Sequence, residues 1–362
     1  MSITEAQVQS ALKEIIDPNT GKDYMAGRCL RNLKIDGTRI SLGIELGYPA
    51  QSQIASIRQQ VTDQLKTLPG AGQVEVNVYV KIVAHSVQKG VKLITGVRNI
   101  IAVASGKGGV GKSTTAANLA LALRAEGAKV GLLDADIYGP SQPTMLGVQG
   151  QPDSPDGKSM MPMQAHGLQV MSIGFLIDQE TPMVWRGPMV TQALQQLLND
   201  TRWDDLDYLV IDLPPGTGDI QLTLAQKVPV TGAVIVTTPQ DIALLDAKKG
   251  LKMFEKVGVP ILGVVENMST HICSKCGHEE HVFGEGGAAR MATDHEVEKL
   301  GELPLDISIR VSTDGGTPTV AADPEGRIAG IYKTIARRVA VKIAQQAKDL
   351  TAKFPAIVIQ NT

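Results

Sequence analysis

From residue 99 onward, short continuous apolar runs alternate with longer stretches of helical periodicity. Strands that are apolar throughout are buried on both faces, which is typical of a parallel sheet covered by helices. The pattern therefore predicts a doubly wound, mostly parallel α/β domain over residues 99–362. The runs with the length and composition of strands are NIIAVAS, KVGLLDAD, LQVMSI, DYLVIDLPP, GAVIVTTP and PILGVVENM.

The first 84 residues have a different pattern, in which a helix precedes a hairpin. In the stretch TEAQVQSALKEII, apolar residues recur at helical spacing, and Thr4 and Gln7 have the spacing of a capping box. The stretch LKIDGTRISLGIEL alternates apolar and polar residues on both sides of Asp36 and Gly37, a pair favoured in type I′ turns. The residues predicted to share the apolar helical face are Val8, Leu12, Ile15 and Ile16.

A second helix and a third strand complete this N-terminal unit. Residues 51–68 have helical periodicity, and QVEVNVYVKIV alternates as a strand after the break PGAG. The order is α-β-β-α-β, so residues 1–84 are predicted to form a small α+β domain. The stretch HSVQKGVKLITGVR, residues 85–98, fits neither period and is assigned to a linker.

The first strand of the larger domain leads into GKGGVGKST, residues 106–114, which opens a helix. This stretch matches G-x-x-x-x-G-K-[ST], the phosphate-binding P-loop, in the strand-to-helix context that the motif requires. Glycines let backbone N–H groups turn towards phosphate oxygens, and the helix N-terminus adds positive potential. Lys112 is predicted to reach the β- and γ-phosphates, and Ser113 to ligate Mg²⁺. The glycines of the loop are Gly106, Gly108, Gly109 and Gly111.

Two acidic segments follow later strands of the same predicted sheet. LLDADIYGPS ends a strand with Asp134 and Asp136, and LVIDLPPGTGD ends another with Asp212. The carboxyl ends of parallel strands meet at one edge, where doubly wound sheets bind their ligands. A carboxylate beside a P-loop can hold Mg²⁺ directly or through water, or it can cap the turn that follows it. The sequence therefore predicts a Mg²⁺–ATP site at this edge.

The composition argues against several other classes of function. With 35 basic and 37 acidic residues and only 3% aromatics, the sequence predicts no nucleic-acid-binding surface and no attraction to anionic membranes. The start MSITEAQVQSALKEIID lacks the features of a signal peptide, and no stretch approaches the length of a membrane span. Three cysteines, an odd number, indicate a reducing compartment, so we expect the cytoplasm.

The stretch THICSKCGHEEHVFG contains a C-x-x-C motif, Cys273 and Cys276, among three histidines. Zinc is one candidate, since two thiolates and two imidazoles form a structural zinc site. An iron–sulfur cluster usually needs four thiolates, which two copies of the motif related by a two-fold axis can supply. A redox dithiol normally lies at a helix N-terminus of a thioredoxin-like unit, and this context does not match. The histidines are His271, His278 and His281.

Together these motifs resemble one family. The loop KGGVGKST has an early lysine and resembles the deviant P-loop of the MinD/ParA class of ATPases. Residues 95–330 resemble the bacterial Mrp (ApbC) family of iron–sulfur cluster carrier ATPases. Residues 1–84 are similar in order to the iron–sulfur-assembly domain that precedes the ATPase in bacterial members. Cys29 matches no functional pattern of that domain and is expected to be a buried small residue. The matching stretches are DADIYGPS, MVWRGPM, DYLVIDLPPGTGDIQLT, TTPQDIALLDAKKG, VENMS and CSKCG.

The resemblance implies roles at the nucleotide. The early lysine, Lys107, would reach across a homodimer to the nucleotide of the partner chain. Asp136 would orient the attacking water, and Asp212 would belong to the segment that senses the γ-phosphate. Gly216 would turn its N–H towards that phosphate, and Asn267 would contact adenine, whose edge an amide can read. The expected catalytic residues are Lys107, Lys112 and Asp136. The expected nucleotide-binding residues are Gly106, Lys107, Gly108, Gly109, Val110, Gly111, Lys112, Ser113, Thr114, Asp134, Asp212, Gly216 and Asn267.

The resemblance also implies a cargo. Cys273 and Cys276 of two chains would hold a labile [4Fe-4S] cluster at the dimer interface, for transfer to apo-proteins, with cluster-assembly scaffolds as further partners and slow ATP hydrolysis. The main alternative is a MinD/ParA-like positioning ATPase with a structural zinc site. The tail LTAKFPAIVIQNT argues against a membrane-binding helix of the MinD kind, because Pro355 interrupts it and it is not basic. A nucleotide-gated scaffold that scarcely hydrolyses ATP also fits, since motifs indicate binding better than turnover.

Overall fold

The computed structural model describes residues 3–88, 91–176, 187–273 and 275–348. The chain divides into two compact units, Met1–Ile82 and Val83–Thr362. The structure thus places the boundary two residues before the predicted one.

The stretch predicted as a linker, residues 85–98, lies inside the second unit. His85 is 1% exposed, and its Nδ1 lies 3.0 Å from Oδ1 of Asn99. Gln88 donates from Nε2 to the carbonyl oxygen of Ala225 at 2.9 Å. His85 and Gln88 are therefore held by side-chain hydrogen bonds to residues outside the stretch, which neither helical nor strand periodicity reveals.

The first unit has its elements in the order expected from the sequence. Gln7 donates its backbone N–H to Thr4 Oγ1 at 3.3 Å, and Thr4 donates its N–H to Gln7 Oε1 at 2.9 Å, so the predicted capping box is present. Its elements are α1 (Glu5–Lys13), β1 (Leu30–Asp36), β2 (Arg39–Leu46), α2 (Ile54–Lys66) and β3 (Val74–Val80). Strand β2 pairs antiparallel with β1 and parallel with β3.

Two local predictions for this unit are wrong. Helix α1 ends before Ile15 and Ile16, and the Ile16 side chain is 55% exposed. In the hairpin, Asp36 is the last residue of β1 and pairs with Arg39, so the two central turn residues are Gly37 and the threonine after it. Only Gly37 of these two has a positive φ, +57°. A type I′ turn needs positive φ at both central residues, so the turn follows the type II′ pattern.

The second unit is built on one large sheet of eight strands. Its strand order is β13-β10-β9-β4-β8-β5-β7-β6, and every neighbouring pair is parallel except β6 with β7. All six predicted strands are present, whereas the short edge strands β6 and β13 escaped prediction. The strands are β4 (Val97–Ala104), β5 (Val130–Asp134), β6 (Met163–Ala165), β7 (Leu168–Ser172), β8 (Leu206–Asp212), β9 (Gly232–Thr237), β10 (Ile261–Glu266), β11 (His271–Ile272), β12 (Glu279–Glu280) and β13 (Lys299–Glu302).

Helices flank this sheet, which confirms the predicted doubly wound α/β class. Helix α3 packs against β4, β5, β8 and α11, while α7 and α8 pack against each other and against β10. None of the helices in the described part of the chain is long and apolar enough to cross a membrane. The helices are α3 (Lys112–Ala125), α4 (Gln142–Met145), α5 (Gly187–Asp200), α6 (Asp219–Lys227), α7 (Asp241–Lys256), α8 (Gly287–Asp294), α9 (Ile307–Asp314), α10 (Thr319–Ala322) and α11 (Arg327–Ala344).

The sheet register brings the polar motifs together. The central strands are buried along their length, as in β9, where every residue is buried. Polar residues follow at the carboxyl ends, and Asp134 of β5 lies directly opposite Asp212 of β8 in the ladder. Strand β4, which neighbours β8, leads into the P-loop. One edge of the sheet therefore carries both acidic segments and the phosphate-binding motif.

The hairpin turn provides a first testable prediction. Replacing Gly37 by alanine should destabilise the β1–β2 hairpin by about 1 kcal/mol, because a side chain makes the left-handed conformation unfavourable. The new Cβ would have no atom within 4 Å, so the cost is conformational rather than steric. Hydrogen exchange of the β1 and β2 amides should be roughly fivefold faster.

Gly330→Ala is the matched control. Gly330 lies within α11, and a Cβ there would also meet no atom within 4 Å. Alanine is the better helix former, so this variant should be neutral or stabilising. Unchanged exchange in the hairpin of the Gly37→Ala variant would contradict the turn assignment.

Candidate functional site

The P-loop, residues 106–114, joins β4 to α3 along a backbone that favours glycine at three positions. Gly109 and Gly111 both have φ of +79°, and Gly111 directly precedes the helix. A Cβ on Gly106 would overlap the backbone of Asp246, and one on Gly111 would overlap the side chain of Asn267. The glycine pattern therefore reflects left-handed backbone and close approaches by neighbouring segments.

The P-loop lysine lies among the predicted acidic residues. Lys112 is 6% exposed, and its Nζ forms an ion pair with Oδ1 of Asp212, which is fully buried. The same ammonium lies 3.1 Å from Ser113 Oγ and 3.9 Å from Asp136 Oδ2. The structure thus brings together the predicted phosphate-binding cation and the predicted oxygen ligands of Mg²⁺. The phosphate contact itself stays a prediction.

Asp134 anchors the loop that follows β5. Its Oδ1 accepts the N–H of Asp136 at 3.1 Å, and its Oδ2 accepts the N–H groups of Ser141 and Gln142, each at 3.0 Å. The hydroxyl of Ser172 donates to Oδ2 as well, at 3.1 Å. These bonds match the turn-capping interpretation of this aspartate. Burial and the nearby charge of Asp212 raise the pKa of Asp134 to about 7.

The loop anchored by Asp134 carries Asp136, the residue expected to handle water. Asp136 is 8% exposed, and burial raises its pKa, while the Lys112 ammonium acts in the opposite direction. The side chain is therefore held near the P-loop lysine in a largely desolvated position. Its role with the attacking water stays a prediction.

The N–H of Gly216 does not lie as expected. It donates to the carbonyl oxygen of Ser105 at 2.9 Å, so in this structure it is used inside the protein rather than turned towards a phosphate. Gly216 has φ of +103°, which a residue with a side chain rarely adopts. The bond joins the segment after β8 to the end of β4, and a phosphate contact through this N–H would require it to break.

Gln142 was missed by sequence reasoning. It is fully buried, and its Nε2 donates to Asp212 Oδ2 at 2.9 Å and to the carbonyl oxygen of Ser113 at 3.0 Å. The stretch GPSQPTML has no feature that marks this glutamine, since its partners come from distant parts of the chain. A buried amide that joins two motifs is recognisable only when the fold is known.

Asn267 holds the P-loop in this structure. Its Nδ2 donates to the carbonyl oxygen of Val110 at 2.9 Å, and its backbone N–H donates to Thr237 at 2.8 Å. Its Oδ1 accepts the N–H of Met268 at 2.9 Å. The side chain therefore ties the P-loop to the end of β10, and the adenine contact stays a prediction.

Lys107 lies at the start of the P-loop and is partly exposed. Its carbonyl oxygen accepts the hydroxyl of Ser105 at 2.8 Å, which fixes its backbone. Among the residues that the structure describes, no carboxylate forms an ion pair with its ammonium group. The side chain is thus placed at the nucleotide edge without an internal partner in the described chain, and its action in trans stays a prediction.

The C-x-x-C motif lies in a short hairpin between β11 and β12. The N–H of Cys273 donates to the carbonyl oxygen of His278 at 2.9 Å, and the N–H of Gly277 donates back to Cys273 at 2.8 Å. Cys273 is partly exposed and Cys276 is exposed. Backbone N–H groups of Lys275 and Cys276 lower the pKa of the Cys273 thiol, which favours the thiolate that binds soft metals.

The histidines near the cysteines do not complete a metal site. The Nδ1 atoms of His271 and His281 donate to the carbonyl oxygens of Leu305, at 3.1 Å, and Ser269, at 2.9 Å. Within residues 3–88, 91–176, 187–273 and 275–348, no three His, Cys, Asp or Glu side chains are grouped to hold a metal ion. In the described part of one chain, these side chains therefore do not form the zinc site that the sequence analysis named as an alternative.

Cys29, in the other unit, is only partly buried rather than buried as expected. Its Sγ lies 3.5 Å from the carbonyl oxygen of Gly27. Burial and the carboxylate of Asp17 raise the pKa of the Cys29 thiol to about 11. The thiol therefore stays protonated at neutral pH, which disfavours it as a metal ligand.

Two expectations fall on residues outside the described ranges. Most of the stretch MVWRGPM lies in residues 177–186, and the tail with Pro355 lies in residues 349–362.

Family models match both units. One described as NUBPL iron-transfer P-loop NTPase matches residues 96–340, and one described as iron-sulfur cluster assembly protein matches residues 5–78. The chain is also 56% identical over 317 residues to the iron-sulfur cluster carrier protein of Escherichia coli (strain K12). That match covers 87% of this chain and 86% of the relative.

Solved structures show the same fold for the larger unit. The nucleotide-binding protein of Archaeoglobus fulgidus in complex with ADP is 38% identical with a TM-score of 0.56, covering 64% of this chain and 90% of that one. The cell division ATPase MinD of Pyrococcus furiosus is 26% identical with a TM-score of 0.50, covering 67% of this chain and 98% of that one.

The contact between Asn267 and the P-loop provides a second prediction. Asn267→Ala should weaken the binding of ATP and of inorganic tripolyphosphate by a similar factor, about fivefold, because one hydrogen bond that positions the P-loop is lost. Both affinities can be measured by isothermal titration with the same protein preparation. Asn199→Ala is the control, since Asn199 is exposed and its Nδ2 donates to the carbonyl oxygen of Gln195 in the same helix, away from the P-loop.

The two ligands separate the two roles of Asn267. A variant that binds ATP weakly but tripolyphosphate normally would contradict the P-loop role and favour the adenine contact instead. Normal binding of both ligands would exclude either role.

Proposed function

The chain belongs to the NUBPL iron-transfer P-loop NTPase family, and we propose that it is an ATP-dependent carrier of iron–sulfur clusters. In this proposal two chains form a homodimer, bind one labile [4Fe-4S] cluster as cargo, and transfer it to apo-proteins with slow ATP hydrolysis. Cluster-assembly scaffolds are the expected donors, and the cytoplasm is the expected location. The relative in Escherichia coli, which is named as a cluster carrier, supports the cargo.

The observation that carries the proposal is the link between the cysteine hairpin and the P-loop. Asn267 at the end of β10 bonds to the P-loop carbonyl of Val110, and Cys273 follows six residues later. Between them, Thr270 accepts the N–H of Leu305 at 2.7 Å, which fixes the segment against its neighbour. A rearrangement of the P-loop can therefore reach the cysteines through a short, hydrogen-bonded stretch of chain.

The thiol arrangement supports a cluster shared between chains. Cys273 and Cys276 provide two soft ligands on an accessible hairpin, and the described part of the chain offers no third ligand beside them. Clusters usually take four thiolates, so two copies of this hairpin around a two-fold axis supply the full set.

The acidic residues support a Mg²⁺–nucleotide site. Ser113, Asp136 and Asp212 offer oxygen ligands close to the P-loop lysine, and Mg²⁺ prefers oxygen ligands. These residues would hold the metal, which supplies charge neutralisation for the phosphates when bound. The relative from Archaeoglobus fulgidus was solved with ADP, which supports a nucleotide ligand. Lys107 would act on the partner's nucleotide, and Asp136 on the attacking water.

The trans role of Lys107 provides a third prediction. Lys107→Ala and Asp136→Ala chains, each inactive alone, should regain ATP hydrolysis when mixed. In a heterodimer, one site combines an intact Asp136 with an intact Lys107 from the other chain, so half of the heterodimer sites should work. Hydrolysis is measured by phosphate release after the mixed dimers have been purified with two different affinity tags.

The control is a homodimer of each variant, in which the two chains carry the two different tags and are purified in the same way. Purified heterodimers that hydrolyse no ATP would exclude the assignment in trans. A Lys107→Ala chain that is fully active alone would exclude any role for Lys107 in hydrolysis.

The cluster provides a fourth prediction. Protein reconstituted anaerobically with iron and sulfide should contain about two irons per chain with matching sulfide, as expected for one shared [4Fe-4S] cluster per dimer. Cys273→Ala and Cys276→Ala should each abolish cluster binding while ATP turnover persists, because neither cysteine touches the P-loop. Cys29→Ala is the matched control and should retain the cluster, since its thiol is disfavoured as a ligand.

The metal count also tests the rival function. One zinc per chain without sulfide, in a monomer, would exclude the shared cluster and favour a positioning ATPase with a structural zinc site. Loss of the cluster in Cys29→Ala would show that the small unit takes part in binding it.

A further inference from the structure

Gln142 is bonded through its backbone and side chain to three parts of the described site. Its backbone N–H donates to Asp134 at the end of β5, at 3.0 Å. Its Nε2 donates both to the P-loop, at the carbonyl oxygen of Ser113, and to Asp212 at the end of β8. The side chain therefore extends from a fixed backbone and joins the two segments that would surround Mg²⁺.

The orientation of this amide is determined by its partners. The carbonyl oxygen of Ser113 has no proton to donate, and neither has Oδ2 of an ionised Asp212. Both atoms therefore accept, so the NH₂ group of Gln142 must face them. The Oε1 atom then points elsewhere and, among the described residues, has no hydrogen-bond partner although it is buried. The two hydrogen bonds of the NH₂ group therefore determine which way the amide faces.

Asp212 depends on two neighbours, one for each carboxylate oxygen. Lys112 pairs with Oδ1, and Gln142 donates to Oδ2. A P-loop lysine that moves to the phosphates releases its aspartate, and the amide of Gln142 is then the remaining side-chain contact that orients the carboxylate. Hydrogen bonds to an ionised carboxylate are stronger than those between neutral groups, so this contact can hold the geometry.

We propose that Gln142 is a positioning residue that orients Asp212 for Mg²⁺ and keeps the Asp136 loop in register with the P-loop. It would act through Asp212 and Ser113 rather than on the nucleotide. Loss of the amide would leave Asp212 free to rotate once Lys112 engages phosphate. The inference rests on the proposed nucleotide-dependent function, but it concerns the response to Mg²⁺ rather than the presence of a P-loop site.

The test uses full-length protein with Gln142→Met, which keeps an unbranched side chain of similar length but removes the amide. The affinity for a fluorescent ATP analogue is measured with and without Mg²⁺. The factor by which Mg²⁺ raises this affinity should be about tenfold smaller in the variant than in the wild type, and kcat should fall about tenfold. Binding without Mg²⁺ should weaken by no more than about fivefold, as expected for the loss of one hydrogen bond to the P-loop, so the larger loss with Mg²⁺ reports on Asp212.

Gln169→Met is the matched control. Gln169 also makes two side-chain hydrogen bonds, both to the backbone of Asp204: its Nε2 donates to the carbonyl oxygen, and its Oε1 accepts the N–H. Neither bond involves the P-loop or the site carboxylates Asp134 and Asp212. This variant should leave the Mg²⁺ effect unchanged. If Gln142→Met binds and hydrolyses like the wild type, or loses activity only in parallel with the folded fraction, Gln142 has no positioning role.

Gln142→Leu provides a second variant in case Gln142→Met folds poorly. Its branched apolar side chain also lacks the amide, so it loses the same hydrogen bonds to Asp212 and Ser113. The factor by which Mg²⁺ strengthens nucleotide binding should again be about tenfold smaller than in the wild type.

A folded Gln142→Leu protein with the full wild-type response to Mg²⁺ would overturn the proposal. A wild-type protein that binds no nucleotide would instead overturn the proposed function, so the two failures are distinguishable.

Discussion

A buried ion pair between Lys112 and Asp212 is the interaction on which the nucleotide edge of the larger unit depends. The ammonium is 6% exposed and the carboxylate is fully buried, and charges in such positions are tolerated only when they are paired and hydrogen-bonded. The parallel register sets this up, because it places Asp212 of β8 beside the end of β4, from which the P-loop leads to Lys112, and beside Asp134 of β5. The remaining features of the site, among them the bonds to Asp134 and Gln142, satisfy the charges that this register brings together.

The same constraint explains why the loops around the site are so closely connected. The P-loop bonds to Asn267 on one side and to Gln142 on the other, through the carbonyl oxygens of Val110 and Ser113. The segment after β8 bonds back to Ser105 through Gly216. The contacts of Asn267 and Gln142 end on the P-loop itself, and that of Gly216 ends on the residue before it, so a phosphate that draws Lys112 away from Asp212 acts on a loop to which all three segments are bonded. Occupancy of the site can therefore be transmitted to several loops without a separate relay.

The sequence predicted the features that arise from local patterns and missed those that arise from distant contacts. The P-loop, the six long strands and the Thr4 capping box were predictable, because each depends on residues close together in the chain. The short edge strand β13 and the partners of Gln142 were not, because they form only against segments far away in sequence. The predicted type of the turn at Gly37 was wrong for another reason. A favoured residue pair does not determine the register of a hairpin, which is set by the pairing of its strands.

Burial separates the two functional regions of the larger unit. The nucleotide edge holds charged groups that are almost fully buried, whereas the cysteine hairpin presents Cys276 at the surface and Cys273 partly exposed. A resident metal is usually enclosed by four ligands from one chain, and such enclosure slows release. Two thiols on an exposed hairpin leave the other coordination positions to a second molecule, whether a partner chain or an acceptor. Because the short segment from Asn267 to Cys273 joins the regions, the buried site can influence the exposed one while exchange of cargo need not disturb the buried charges.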